Sequence, residues 1–158
     1  MATTAATIAK RTRVRDVGHA DLAGVQQTAN LADAARFMYE LDIGAAAVFA
    51  DSDLVGVITE RDIMSAVLEG ADLSQAPVMV YMTRSPATIW ANADVAQAAL
   101  AMRALHARHL PVVDDGRFVG MVSARDLLEV LSEDEPPEVP SMRRNPVSQL
   151  WRRRSRIG

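Results

Sequence analysis

The chain has 158 residues, 49% hydrophobic and 23% charged, with 17 basic against 20 acidic side chains and a net charge of -3. That apolar content is ordinary for a folded protein and too high for a disordered one, and the length suits one compact domain or two small ones. The absence of Cys excludes disulfides, thiolate catalysis, Cys-ligated zinc and iron–sulfur clusters.

In chain order, residues 1–13 are small, polar and basic, without periodicity, and read as a flexible terminus. They lack the apolar core of a signal peptide, and no run of about 18 apolar residues exists to span a membrane, so the cytoplasm is the expected compartment. A short β-run, Gly24 to Gln26, comes next. Asn30 then caps a helix whose apolar positions Leu31, Ala34, Ala35, Met38 and Leu41 fall at helical spacing. Two β-runs follow, Ala46 to Phe49 and Leu54 to Ile58, around the turn Asp51-Ser52-Asp53. A helix from Glu60 to Leu68 closes the unit.

The order then repeats: a β-run Thr88 to Trp90, a cap at Asp94, helical positions Val95, Ala98, Ala99, Met102 and Leu105, β-runs Pro111 to Val113 and Phe118 to Val122, and a helix Ala124 to Leu131. Val55-Gly56-Val57-Ile58-Thr59-Glu60-Arg61-Asp62 resembles Val119-Gly120-Met121-Val122-Ser123-Ala124-Arg125-Asp126, 64 residues later. One register also aligns Val14 with Val78, Val25 with Ile89, Met38 with Met102, Val48 with Val112 and Asp51 with Asp115. The spacing therefore predicts two copies of a β-α-β-β-α unit, at about 14–70 and 78–132. The chain divides into a terminus (1–13), repeat 1 (14–70), repeat 2 (71–132) and an acidic, Pro-rich linker with an Arg-rich tail (133–158).

A unit of about 60 residues is marginal by itself, and the central β-runs are apolar on both faces. The expected fold class is α/β (α+β), two pseudo-twofold related repeats packed through their sheets. The tail carries six Arg from residue 143 onward and no acid, which leaves 11 basic against 20 acidic residues, a net -9, in residues 1–142. Such segregation fits a solvated terminus, an anchor for an acidic partner, or a strap that folds back on the core or on a neighbouring subunit.

These motifs resemble a tandem pair of cystathionine β-synthase (CBS) domains, a Bateman module. The resemblance rests on Asp42-Ile43-Gly44 before a β-run, on Leu54 to Asp62, on Arg108-His109-Leu110-Pro111-Val112-Val113-Asp114, and on Val119 to Asp126. It covers about 120 residues. It implies a flat module that senses adenine nucleotides (AMP, ATP) or S-adenosylmethionine between the repeats, commonly as a homodimer.

Thr59-x-x-Asp62 and Ser123-x-x-Asp126 open helices. The pattern is that of a capping box, which needs no ligand. Its place at the end of a β-run also puts a helix N-terminus at a crevice, where phosphate is favoured. A carboxylate there can hold ribose hydroxyls, and a hydroxyl with an Arg can meet phosphate. The resemblance gives Thr59, Asp62, Ser123 and Asp126 these roles; Arg61 and Arg125 join them or face solvent. It implies a first cleft of Thr59, Arg61 and Asp62 with Ile89, Ala91, Arg108, His109 and Pro111. A second would combine Ser123, Arg125 and Asp126 with Val25, Gly44, Ala45 and Ala47, without the basic pair, and so would be empty or suited to a nucleoside.

His106 and His109 lie three apart, but no third ligand completes a metal set in sequence, so a helix C-terminal interaction is expected. No Ser-His-Asp order, phosphate-binding loop or Gly-x-Gly-x-x-Gly points to an enzyme. The expected function is a stand-alone regulatory CBS pair, with no catalytic cofactor, that acts on a protein partner. The alternative is a dimeric scaffold without ligand, whose Arg tail contacts a protein or nucleic acid. Nucleic acid is disfavoured by net acidity and by 4% aromatic content.

Overall fold

The structure, a computed structural model, describes residues 12–18 and 24–132. The expectations for the Arg-rich tail, and for the N-terminus before Thr12, lie outside the described residues. The elements run α1 (Val14–Val17), β1 (Gly24–Gln26), α2 (Leu31–Glu40), β2 (Ala45–Ala50), β3 (Asp53–Thr59), α3 (Glu60–Leu68), α4 (Val78–Tyr81), β4 (Thr83–Arg84), β5 (Ile89–Trp90), α5 (Val95–Leu105), β6 (His109–Asp114), β7 (Arg117–Ser123) and α6 (Ala124–Ser132). The β-α-β-β-α order is present twice. The short helices α1 and α4 and the strand β4 are additions that sequence periodicity did not signal, since four residues or fewer carry no measurable period.

Two sheets form, β1-β2-β3-β4 and β5-β6-β7. In each, the first strand runs parallel to the second and the next hairpin is antiparallel. The irregularity between Val48 and Phe49 recurs 64 residues later between Val112 and Val113. The turns repeat as well. Asp42 and His106 leave their helices with φ 54° and 52°, and Asp51 and Asp115 turn the hairpins with φ 54° and 46°. A left-handed residue is the usual way to reverse a chain after a helix or in a tight hairpin.

Local chemistry explains the helices. The Asn30 side chain accepts from the Asp33 amide at 2.8 Å, and Gln97 accepts from the Asp94 amide at 2.9 Å. Leu31, Ala34 and Met38 then line the buried stripe of α2, and Val95, Ala98 and Met102 that of α5. Ala45 to Val48 are buried in succession, as expected of a strand covered on both faces.

The two repeats exchange their leading helices. Val14, fully buried, packs with Ile89, Ala91, Val95 and Val122 of repeat 2, whereas Val78, its counterpart, packs with Leu31, Val48 and Ile58 of repeat 1. The backbone bonds match pair by pair. Val14 N–H donates to Ala93 O (2.9 Å) as Val78 N–H donates to Ala29 O (2.8 Å), and Arg15 N–H to Ala91 O (3.0 Å) as Met79 N–H to Gln27 O (3.0 Å). Arg13 adds an ion pair to Asp94 at 2.5 Å. The sheets also meet directly: the rings of Phe49 in β2 and Phe118 in β7 pack edge to face, 5.4 Å between centroids.

The symmetry is broken at one place that matters for shape. A Cβ on Gly56 would lie 2.5 Å from the Met82 sulfur, so Met82 fills the surface over that strand. The counterpart of Met82 is Gly18, which leaves a cleft of about 180 Å³ in repeat 2, lined by Val14, Arg15, Ala91, Val112, Asp114 and Gly120 among others.

Candidate functional site

Thr59 ends β3 and caps α3. Asp62 Oδ2 accepts from the Thr59 amide and from Thr59 Oγ1, both at 2.7 Å, and the Asp62 amide donates to Thr59 Oγ1 at 3.3 Å. Asp62 is half-buried, and its Oδ1 takes no hydrogen bond from the described residues. Ser123 and Asp126 repeat the arrangement at the start of α6: the Ser123 amide donates to Asp126 Oδ2 at 2.7 Å and the Asp126 amide to Ser123 Oγ at 3.3 Å. Asp126 is 5% exposed and further engaged. Both motifs therefore form capping boxes, which hold each carboxylate fixed at the end of a strand.

The first residue after each cap is tied to the segment that leads into the preceding strand. Glu60 N–H donates to Gly44 O at 3.2 Å and Ala124 N–H to Arg108 O at 2.8 Å. Across the hairpins, Ala45 pairs with Thr59 and His109 with Ser123. The residues flanking each motif are thereby held beside it by strand register.

The repeats meet at Gly44 and His109. A Cβ on Gly44 would stand 3.4 Å from His109 Cε1 and Nε2 and 3.3 Å from Glu60 Oε2. The bare backbone of Gly44 lets the imidazole of one repeat lie close over the other, where a Cβ would already be at contact distance. Burial pushes the His109 pKa below its ordinary 6.5 and the Arg108 charge adds to this, while Asp126 and Glu60 oppose it. His109 is thus neutral at neutral pH.

The other expected site residues divide into two groups. Arg61, Arg108 and Arg125 are exposed, and Val25 is half-buried in β1. Ile89, Ala91, Ala45, Ala47 and Pro111 are buried, with Ile89 and Ala91 in the core that receives Val14. The expected partition into two separate sets is crossed at one point: His109, expected with Thr59 and Asp62, sits on Gly44, expected with Ser123 and Asp126, and feels the Asp126 charge. Glu60 was not singled out from the sequence. Its signal was available, since the counterpart position carries Ala124 and the two motifs otherwise match closely. Among the described residues no group of three His, Asp or Glu could hold a metal, and His106 is the C-cap of α5.

A family model of the CBS domain matches residues 14–69 and again residues 77–133. The chain belongs to the CBS domain family. Hypoxic response protein 1 of Mycobacterium tuberculosis is 32% identical to it over 124 residues, 77% of this chain and 87% of that protein. The CBS-domain containing protein ATU1752 from Agrobacterium tumefaciens has a similar structure, with TM-score 0.70, 32% identity and coverage of 75% and 98% of the two chains. So does the CBS domain pair of protein MJ0100 in complex with 5'-methylthioadenosine and S-adenosyl-L-methionine, with TM-score 0.72, 25% identity and coverage of 78% and 98%. Like them, this CBS pair is a mixed α and β fold of two repeats. Among its described residues no helix is long and apolar enough to cross a membrane.

Proposed function

We propose that this CBS pair is a regulatory protein, not an enzyme, that binds an adenine nucleotide or another adenosyl ligand between its repeats. The observation that carries the reading is the capped Thr59–Asp62 pair, held beside a seam where His109 of one repeat rests on Gly44 of the other. In this reading Asp62 Oδ1, which takes no hydrogen bond from the described residues, would meet ribose hydroxyls, and Arg61, Arg108 and His109 would meet the 5' side of the ligand. The MJ0100 pair, bound to two adenosyl compounds, supports the ligand class. A ligand that touches both repeats favours one arrangement of them and shifts its population. The Ser123–Asp126 cap is the weaker candidate, because Asp126 is nearly enclosed.

The working assembly in this reading is a homodimer. Its support is the apolar surface that the helices leave outside: Tyr39 on α2, Met64 and Leu68 on α3, Leu100 and Leu105 on α5. The cytoplasm is its proposed compartment. The scaffold reading is favoured by one observation, that both motif acids serve as helix caps, a structural role sufficient in itself.

Calorimetric titration with AMP, ATP and S-adenosylmethionine separates the two. The expected outcome is binding of at least one of them, weakened about tenfold or more by Asp62→Ala through loss of charged hydrogen bonds, with the far-ultraviolet spectrum unchanged. Silence toward all three in the unaltered protein removes the sensor and leaves the scaffold.

A further inference from the structure

We propose that Glu60 makes the seam selective for adenosyl ligands with a cationic tail, such as a sulfonium or an amine, over nucleotides with a polyphosphate tail. The inference rests on the adenosyl reading above and names the charge class of that ligand.

The two caps are built alike, yet only one carries an acid directly after its capping residue: Glu60 follows Thr59, whereas Ala124 follows Ser123. A local need for that acid is therefore absent, since α6 starts without it. The structure shows where the charge goes. The Glu60 amide bonds to Gly44 O, and its carboxylate Oε2 and the His109 ring stand over the same glycine. Glu60 is exposed, so its carboxylate is open to solvent rather than enclosed in the core.

A ligand whose ribose is held at Asp62 would extend its 5' substituent toward this place. The exposed cationic groups of the two caps are Arg61, Arg108 and Arg125; Arg61 adjoins Glu60, and Arg125 belongs to the other cap. His109 adds no positive charge at neutral pH, because burial and Arg108 disfavour its proton. Asp62, two residues after Glu60, and the buried Asp126, whose charge reaches His109, add further negative charge. A polyphosphate would bring several negative charges against Glu60. A sulfonium or ammonium would find in Glu60 a partner, with Arg108 free to take a carboxylate on the same tail. Like charges placed together at a binding surface discriminate against the wrong ligand.

The full chain is titrated at constant ionic strength with S-adenosylmethionine, ATP and the uncharged 5'-methylthioadenosine, in the unaltered form and as Glu60→Gln. The unaltered protein is expected to bind S-adenosylmethionine at least about fivefold tighter than ATP, and Glu60→Gln to bring that ratio to about one by weakening the first and strengthening the second. 5'-Methylthioadenosine is expected to bind both proteins equally. Glu60→Asp retains the preference, and Glu69→Gln, at the other end of the same helix, leaves it unchanged. Thermal melting of each variant shows that the fold is kept. An equal or stronger affinity for ATP, or a ratio that Glu60→Gln does not move, overturns the proposal while the adenosyl reading stands. If none of the three compounds binds the unaltered protein, the adenosyl reading fails and this inference falls with it.

Discussion

His109 shows how one side chain can report on the contact between two repeats. It lies against Gly44, with Glu60 on the same repeat as Gly44 and with Arg108 and Asp126 on its own. Its folded pKa is below the ordinary 6.5, so between those two values the unfolded chain binds more protons than the folded one. The stabilising contribution is fully present above about pH 6.5 and declines as the pH falls through the folded value. Urea denaturation midpoints from pH 8 to pH 5 are expected to drop with acid, and His109→Asn is expected to flatten that drop. An unchanged slope in the variant would assign the dependence to carboxylates elsewhere. The histidine itself was visible in the sequence. Gly44 was visible too, but assigned to the other cleft; their contact was not legible, because Gly44 and His109 are 65 positions apart and belong to repeats whose mutual approach no periodicity encodes.

At the scale of elements, the exchanged helices are the feature with the largest consequences. Each of α1 and α4 has only four residues and cannot persist alone, since a single turn costs more backbone entropy than its hydrogen bonds return. Each exists because one valine, Val14 or Val78, is fully buried in the other repeat's core. Val14→Ala is expected to cost about 2 kcal/mol, from lost transfer energy and the cavity left behind. Its location distinguishes this prediction: amide exchange should accelerate in residues 89–130 of repeat 2 more than in 24–69. Equal acceleration, or loss confined to repeat 1, would mean that the N-terminal helix docks on its own repeat. The sequence register already aligned Val14 with Val78. It left open which core each would enter, because a buried valine followed by a turn fits either one.

For the whole molecule, two small cores joined by exchanged helices explain why neither repeat is a complete unit: each lacks a buried residue that only the other supplies. In the proposed reading a ligand between them would act on the contact between halves rather than on either half. The outward helices tell a different story. Met64 and Leu68, four apart on α3, are 63% and 83% exposed, and the proposed homodimer would cover this apolar face. Sedimentation of the unaltered protein is expected to give the mass of two chains, and Met64→Glu with Leu68→Glu that of one. A single-chain mass for the unaltered protein removes the homodimer and leaves this face for another partner.

The amino-acid order alone determined the β-α-β-β-α repeat, its 64-residue register, the helix caps and the Thr59–Asp62 and Ser123–Asp126 pairs, because these depend on contacts within a few residues or on the pattern of apolar positions. Only the tertiary structure decided that the leading helices cross over, that Met82 fills one strand surface while Gly18 leaves its counterpart open, and that His109 and Glu60 converge on Gly44. Those outcomes depend on how two nearly identical surfaces dock. Identical apolar patterns make docking within a repeat and docking between repeats equivalent in sequence, and only the three-dimensional packing of side-chain volumes separates them.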